Sequence, residues 1–263
     1  MNLEPIQYLA GAGSGVLVGF VLGLVGGGGS ILAVPLMVYV VGVGSPHIAI
    51  GTSALAVAAN AVTGLVHHVR LGTVKWRCAG MYAVAGVIGA FAGSTAGKAV
   101  DGQKLLFLFS ILMIVVAILM ARGRGRAGEA NAECNRENAA KVLGFGLGTG
   151  AFSGFFGIGG GFLIVPGLVA STGMPILNAI GSSLVAVAAF GLTTALNYAL
   201  SGLVDWLLAA AFIAGGVLGG VGGAKLAHRL SAKRGQLSVL FSILIVAVSA
   251  YMLWESASAW LQH

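Results

Sequence analysis

The chain has 263 residues, of which 58% are hydrophobic and only 8% charged. A soluble domain carries about 25% charged residues, so this composition reads as an integral membrane protein. The net charge is +7, but the basic residues stand between apolar segments, which fits anchoring and orientation in a bilayer and excludes a nucleic-acid footprint.

In chain order, the first segment opens near Glu4, where a secretory signal would carry Lys or Arg, and is therefore expected to stay in the protein. Apolar segments then run over 8–25, 30–43, 47–68, 76–98 and 104–121. A polar stretch, Arg122 to Lys141, is expected as an extramembrane loop. Five more apolar segments follow, over 142–156, 161–173, 176–200, 203–227 and 236–254. Leu105 to Ala121 and Leu237 to Trp254 are clear cases of stretches long enough to span a bilayer, at roughly 20 residues each. The second segment of each set is too short for a comfortable span, which leaves a re-entrant half-helix or a short tilted helix.

A glycine cluster precedes each short segment. Gly26-Gly27-Gly28-Gly29-Ser30 leads to Pro35, and Gly157-Ile158-Gly159-Gly160-Gly161 leads to Pro166. Contiguous glycines break a helix and expose backbone N–H groups. Inside a bilayer such backbone is tolerated only where protein or a cavity satisfies it. Other landmarks recur at the same offset, about half the chain. Ile50-Gly51-Thr52-Ser53 answers Ile180-Gly181-Ser182-Ser183, Gly72 to Trp76 answers Gly202 to Trp206, and Phe109 to Leu112 answers Phe241 to Leu244. The expected architecture is an all-α polytopic membrane protein with two internal repeats, each of four to five helical segments including a short or broken one. Its parts are a first repeat over 1–121, a cytoplasmic linker over 122–141 and a second repeat over 142–263.

Charge sets the orientation. Arg70, Lys75 and Arg77, the linker, and His228 to Arg234 belong in the cytoplasm by the positive-inside rule. This holds if each repeat crosses an odd number of times, which inverts the second repeat relative to the first. Lys98 and Lys104 then fall outside, against the rule.

A duplicated pair of broken apolar segments is the best sequence pointer to a transporter's site. The amides of a helix start carry partial positive charge and suit a small anion. The expected substrate-binding residues are Gly27, Gly28, Gly29 and Ser30, with Gly159, Gly160 and Gly161 in the second half. Gly51, Thr52 and Ser53, with Gly181, Ser182 and Ser183, read as two further polar openings, each after a glycine. His47 is the candidate proton carrier. Other residues carry plainer readings. Gly11, Gly15, Gly19 and Gly23, Gly89, Gly93 and Gly97, and Gly215, Gly219 and Gly223 let helices pack closely. His67 and His68 end a segment at the interface, Trp76 and Trp206 anchor there, and Asn60 and Asn197 glue helices. Cys78 and Cys134 are isolated and are expected as free thiols. The acids, Glu4, Asp101, Glu129, Glu133, Glu137, Asp205 and Glu255, fall at termini, turns or in the linker, which argues against a metal-cation or sodium carrier. No catalytic constellation, metal site or cofactor motif is present in the sequence; the first glycine cluster lacks the lysine of a P-loop.

The two glycine-to-proline runs, each followed by Ile-Gly-Thr/Ser-Ser, make the chain similar to the sulfite exporter TauE/SafE family of membrane permeases, from about Val16 to Trp254. The resemblance implies a secondary transporter of small anions such as sulfite, organosulfonates or related organic acids, not an enzyme, in the bacterial inner membrane. Its partners are then a small anionic substrate and the lipid bilayer, without nucleic acid; a homo-oligomer is left open. Ser30 stands where the second half has Gly161, so the site need not be symmetric. An anion channel and a non-transporting scaffold are the alternatives.

Overall fold

A computed structural model describes residues 4–25, 27–122, 134–229 and 245–255, and among these the chain is helical throughout, without strands. Gly26, most of the expected linker, and the landmark Phe241 to Leu244 lie outside the described residues. Helix α1 spans Pro5–Val25. Proline suits a first helical position, and the Glu4 backbone N–H donates to Gln7 Oε1 at 2.8 Å, so the helix starts ahead of the apolar run. Helix α2, over 27–40, is irregular: a 3-10 stretch over Gly27–Leu32, one α turn at Ala33–Pro35 and a π turn over Leu36–Val40. Then come α3 (Pro46–Arg70), α4 (Trp76–Ala99) and α5 (Gly102–Arg122). After the linker follow α6 (Arg136–Phe156), α7 (Gly161–Thr172), α8 (Ile176–Ala199), α9 (Trp206–Arg229) and α10 (Ile245–Glu255).

The last residues of the expected linker are helical. Asn135 and Asn138 form a reciprocal capping box, with the Asn135 N–H donating to Asn138 Oδ1 at 2.9 Å, so α6 begins at Arg136 and includes Lys141.

Five of the described helices, within α1, α3, α4, α8 and α9, are long and apolar enough to cross a membrane. Val84 and Ile88 on α4, Leu192 and Leu196 on α8 and Leu218 on α9 point outward, while Ser30, Thr52, Ser53, Ser153, Ser182, Ser183 and Thr194 are fully buried. An apolar exterior around buried hydroxyls is the pattern a lipid solvent selects. Trp76 and Trp206, each the first residue of its helix, are 57% and 64% exposed, as interfacial anchors are.

Glycine sets the closest helix pairs. A Cβ at Gly15 or Gly19 would strike the Phe212 or Gly216 carbonyl, and one at Gly215, Gly219 or Gly223 would strike Ala12, Val16 or Phe20. Helices α1 and α9 therefore run parallel with backbones touching. The same holds for α4 and α6, where Gly89, Gly93 and Gly97 meet Leu147, Ala151 and Phe155 in rising order. Helices α3 and α8 instead run antiparallel: Gly51 lies against Tyr198 and Gly64 against Leu184.

Cross-links define two ends of the bundle. At the linker end, the Lys75 N–H donates to Ser182 Oγ (2.8 Å), Asn178 Nδ2 donates to the Thr73 carbonyl (3.1 Å), and a disulfide joins Cys78 to Cys134. The expectation of two free thiols is thus corrected. The linker returns the chain beside the start of α4 and brings the two Cα atoms to 5.4 Å, within bonding range, across a separation of 56 residues that hides the pairing in the sequence. At the opposite end, the Asp205 N–H donates to Thr52 Oγ1 (3.0 Å) and Gln7 Nε2 donates to the Val41 carbonyl (3.0 Å). Lys98 Nζ there donates to the carbonyl and Oδ1 of Asn197 and to Ser201 Oγ, each at 2.9 Å. A lysine on the last turn of α8 complements that helix's negative end, which accounts for a cation on the charge-poor side.

Candidate site at the helix break

The second glycine cluster turns the chain inside the bundle. Gly157 ends α6 in the left-handed conformation (φ +68°), and its N–H and that of Ile158 both bond the Ser153 carbonyl. Gly159 (φ +64°) and Gly160 (φ +67°) continue in the same region, which L-residues with side chains rarely adopt. Gly160 is the N-cap of α7, and no side chain caps this helix start. Leu163 and Ile164 both donate to the Gly160 carbonyl, so the amides of Gly161 and Phe162 head the helix.

The surroundings carry this turn from near one end of the bundle to its middle. A Cβ at Gly159 would stand 2.6 Å from Val57 Cγ1 and 3.4 Å from Val187 Cγ1, residues at the middle of α3 and of α8. Gly157 lies against Ile50, and the start of α2 packs on α7. From there α7, with 12 residues and about 18 Å of rise, returns to the linker end, where α8 begins. Helix α6 starts at that same end, next to Cys134. Helices α6 and α7 therefore form a hairpin whose returning arm is a half-span. At the opposite end, α1 and α2 form a second such hairpin, tied by Gln7 to Val41. Both short segments run back to the end of the bundle at which their hairpin began.

The structure thus brings Gly159, Gly160 and Gly161 to one point and sets the Gly27–Ser30 stretch beside it through α2; Ser30 is fully buried. The second group of expected residues stands on α3 and α8, the helices whose Ile50, Val57 and Val187 lie against Gly157 and Gly159. Helices α3 and α8 are continuous through Gly51 and Gly181, so the expected openings after these glycines are corrected to intact helix. Their small size serves close approach: Gly51 faces the Leu203 carbonyl and Val204, and Gly181 faces Thr73, whose Oγ1 would lie 2.7 Å from a Cβ. Thr52 and Ser182 cap the starts of α9 and α4, and Ser53 and Ser183 return their hydroxyls to the Ile50 and Ile180 carbonyls at 3.1 and 2.8 Å.

The other polar residues divide. Asn197 glues helices as expected, donating to Ser94 Oγ (2.6 Å) and Thr95 Oγ1 (3.0 Å). Asn60, buried against Gly216, has no partner for its amide among the described residues. His68 packs into the turn after α3. Thr73 Oγ1 donates its single proton to the His68 carbonyl and so accepts from His68 Nδ1 at 2.8 Å. His47 stands in the first turn of α3, 6.3 Å from the Tyr198 ring, with neither His47 Nδ1 nor Tyr198 OH partnered among the described residues. Asp101 and Asp205 cap α5 and α9. Sequence reasoning passed over Ser153, whose buried Oγ has no partner and lies beside Gly160; its only signal is its place one turn ahead of the cluster.

Apolar spans around buried hydroxyls define a polytopic membrane protein. Residues 11–252 match the sulfite exporter TauE/SafE family, and the chain belongs to that family. A "Probable membrane transporter protein" of Xylella fastidiosa (strain 9a5c) is 54% identical over 250 residues, covering 93% of this chain and 94% of the relative. The "Probable membrane transporter protein YunE" of Bacillus subtilis (strain 168) is 24% identical over 264 residues, covering 92% and 95%. The "Probable membrane transporter protein MJ0441" of Methanocaldococcus jannaschii is 28% identical over 204 residues, covering 74% and 72%. No solved structure matches the chain.

Proposed function

We propose that this protein is a secondary transporter of small anions, working by alternating access of two inverted repeats, 1–121 and 142–263, joined by the linker 122–141. The observation that carries the reading is the uncapped start of α7 at mid-depth, between Val57 and Val187. An amide-headed helix end there supplies partial positive charge without a buried Lys or Arg, which suits sulfite, a sulfonate or a related oxyanion. The family's description as sulfite exporters favours this substrate class.

Inversion is supported by helix direction. Helices α3 and α8 hold matching places in the two halves and run antiparallel, as a two-fold axis in the membrane plane requires. Two bonds of the turns after them repeat at one offset: Gly72 to Val69 and Thr73 to His68 in one, Gly202 to Ala199 and Leu203 to Tyr198 in the other. Gly72 (φ +67°) and Gly202 (φ +69°) occupy the same position in each turn. The caps are reciprocal, Thr52 serving α9 and Ser182 serving α4.

Arg70, Lys75, Arg77 and Arg136 put the linker end in the cytoplasm of a bacterial plasma membrane. His47, with its unpartnered Nδ1, is the group we assign to proton coupling. Counterflow of labelled sulfite in liposomes containing the purified protein tests the function. Saturable exchange, ranked by unlabelled oxyanion competitors, is the expected result. Conductance without saturation or counterflow would turn the reading to a channel, and no flux from folded, inserted protein would turn it to a scaffold.

A further inference from the structure

We infer that Ser153 is the hydroxyl donor of the anion site at the start of α7. The inference rests on the reading of that helix start as the substrate site. Serine inside a helix ordinarily spends its hydroxyl on a carbonyl one turn earlier. Ser53, Ser94, Ser110, Ser171, Ser183 and Ser249 all do so in this protein. Ser153 does not. It is fully buried, its Oγ has no partner among the described residues, and that oxygen lies 2.9 Å from the place a Cβ on Gly160 would take. A free hydroxyl in a dry interior costs stability unless something uses it. Here it stands beside the N-cap of an uncapped helix, so a bound oxyanion would receive the α7 amides and this hydroxyl together.

The placement also resolves an asymmetry between the halves. The first cluster contains its own hydroxyl, Ser30, where the second has Gly161. Ser153 delivers a hydroxyl to the second break from the preceding helix, one turn before Gly157, whose N–H it holds through its carbonyl. Ser153 is thus both the pivot of the turn and a ligand.

The test is sulfite counterflow in proteoliposomes with the full chain, comparing wild type, Ser153→Ala, Ser153→Cys and Gly159→Leu, together with thermal unfolding of each in detergent. Ser153→Ala should raise the half-saturation concentration about tenfold, the loss of one charge-assisted hydrogen bond, with maximal exchange within about twofold of wild type. Ser153→Cys, a weaker donor of similar shape, should fall between. A hydroxyl without a protein partner predicts that Ser153→Ala leaves the unfolding temperature unchanged or raises it, which loss of a structural hydrogen bond would not do. Wild-type half-saturation in Ser153→Ala, with Gly159→Leu inactive, overturns the role of Ser153 and leaves the α7 site standing. Full exchange by Gly159→Leu, or none by wild type, removes the site reading and this inference with it.

Discussion

Helices α2 and α7 follow the two glycine clusters at matching places in the chain, yet they are built differently. In the α7 arm, Gly157, Gly159 and Gly160 adopt left-handed φ, the chain turns sharply, and a regular helix follows that runs through Pro166. In the α2 arm, Gly29 has an ordinary φ, and the chain enters a 3-10 stretch and leaves Pro35 through a π turn, with the Val41 N–H reaching the Leu36 carbonyl. What Gly29 supplies is room, since a Cβ there would lie 2.5 Å from the Leu22 backbone nitrogen of α1. The same residue type thus breaks a membrane helix in two ways. One way uses backbone conformations that a side chain forbids, and the other uses a contact that a side chain would fill.

The largest test of this contrast is Gly159→Leu. A left-handed φ costs a residue with a side chain about 1–2 kcal/mol, and leucine must also part Val57 from Val187. Transport should be lost while the protein still inserts, as read by exchange assays beside detergent gel filtration. Normal exchange would sink the site assignment.

Next in size is a paired series at Gly29 and Gly173. At Gly29 the obstacle is the α1 backbone, so Ala should cost about 1–3 kcal/mol and larger side chains progressively more. At Gly173 (φ +72°) nothing lies within 4 Å, so Ala and Leu should cost the same, about 1–2 kcal/mol, from conformation alone. Thermal unfolding in detergent measures both. A cost at Gly173 that grows with side-chain size would erase the distinction.

The smallest effect concerns the features the halves share. Thr52→Ala and Ser182→Ala each remove one hydroxyl cap from the other half's helix start, and each should cost about 1 kcal/mol. Clearly unequal losses would show that the two turns, alike in geometry, are not alike in energy.

Much of this was legible in the sequence. The apolar runs, the position of both breaks, the packing role of Gly15, Gly19, Gly93 and Gly219, and the interfacial Trp76 and Trp206 follow from local chemistry: residue type, spacing and length. Gly51 and Gly181 misled because a glycine in a membrane helix can mark a break or a close neighbour, and only the crossing of Leu203 and Thr73 decides which. Their neighbours Thr52 and Ser182 looked like free hydroxyls for the same reason, since the amides they accept from belong to Asp205 and Lys75, far along the chain.

The sequence by itself determined what each segment is: its length, its polarity, and the points where regular helix must stop. Tertiary structure alone decided which segments meet. The Cys78–Cys134 pairing, the folding back of α2 and α7, the antiparallel crossing of α3 and α8, and the unspent hydroxyl of Ser153 beside Gly160 all depend on contacts between residues remote in the chain or on the turn that folds one helix back against the last. Periodicity and propensity are properties of a segment, whereas a shared position in space is a property of the pair.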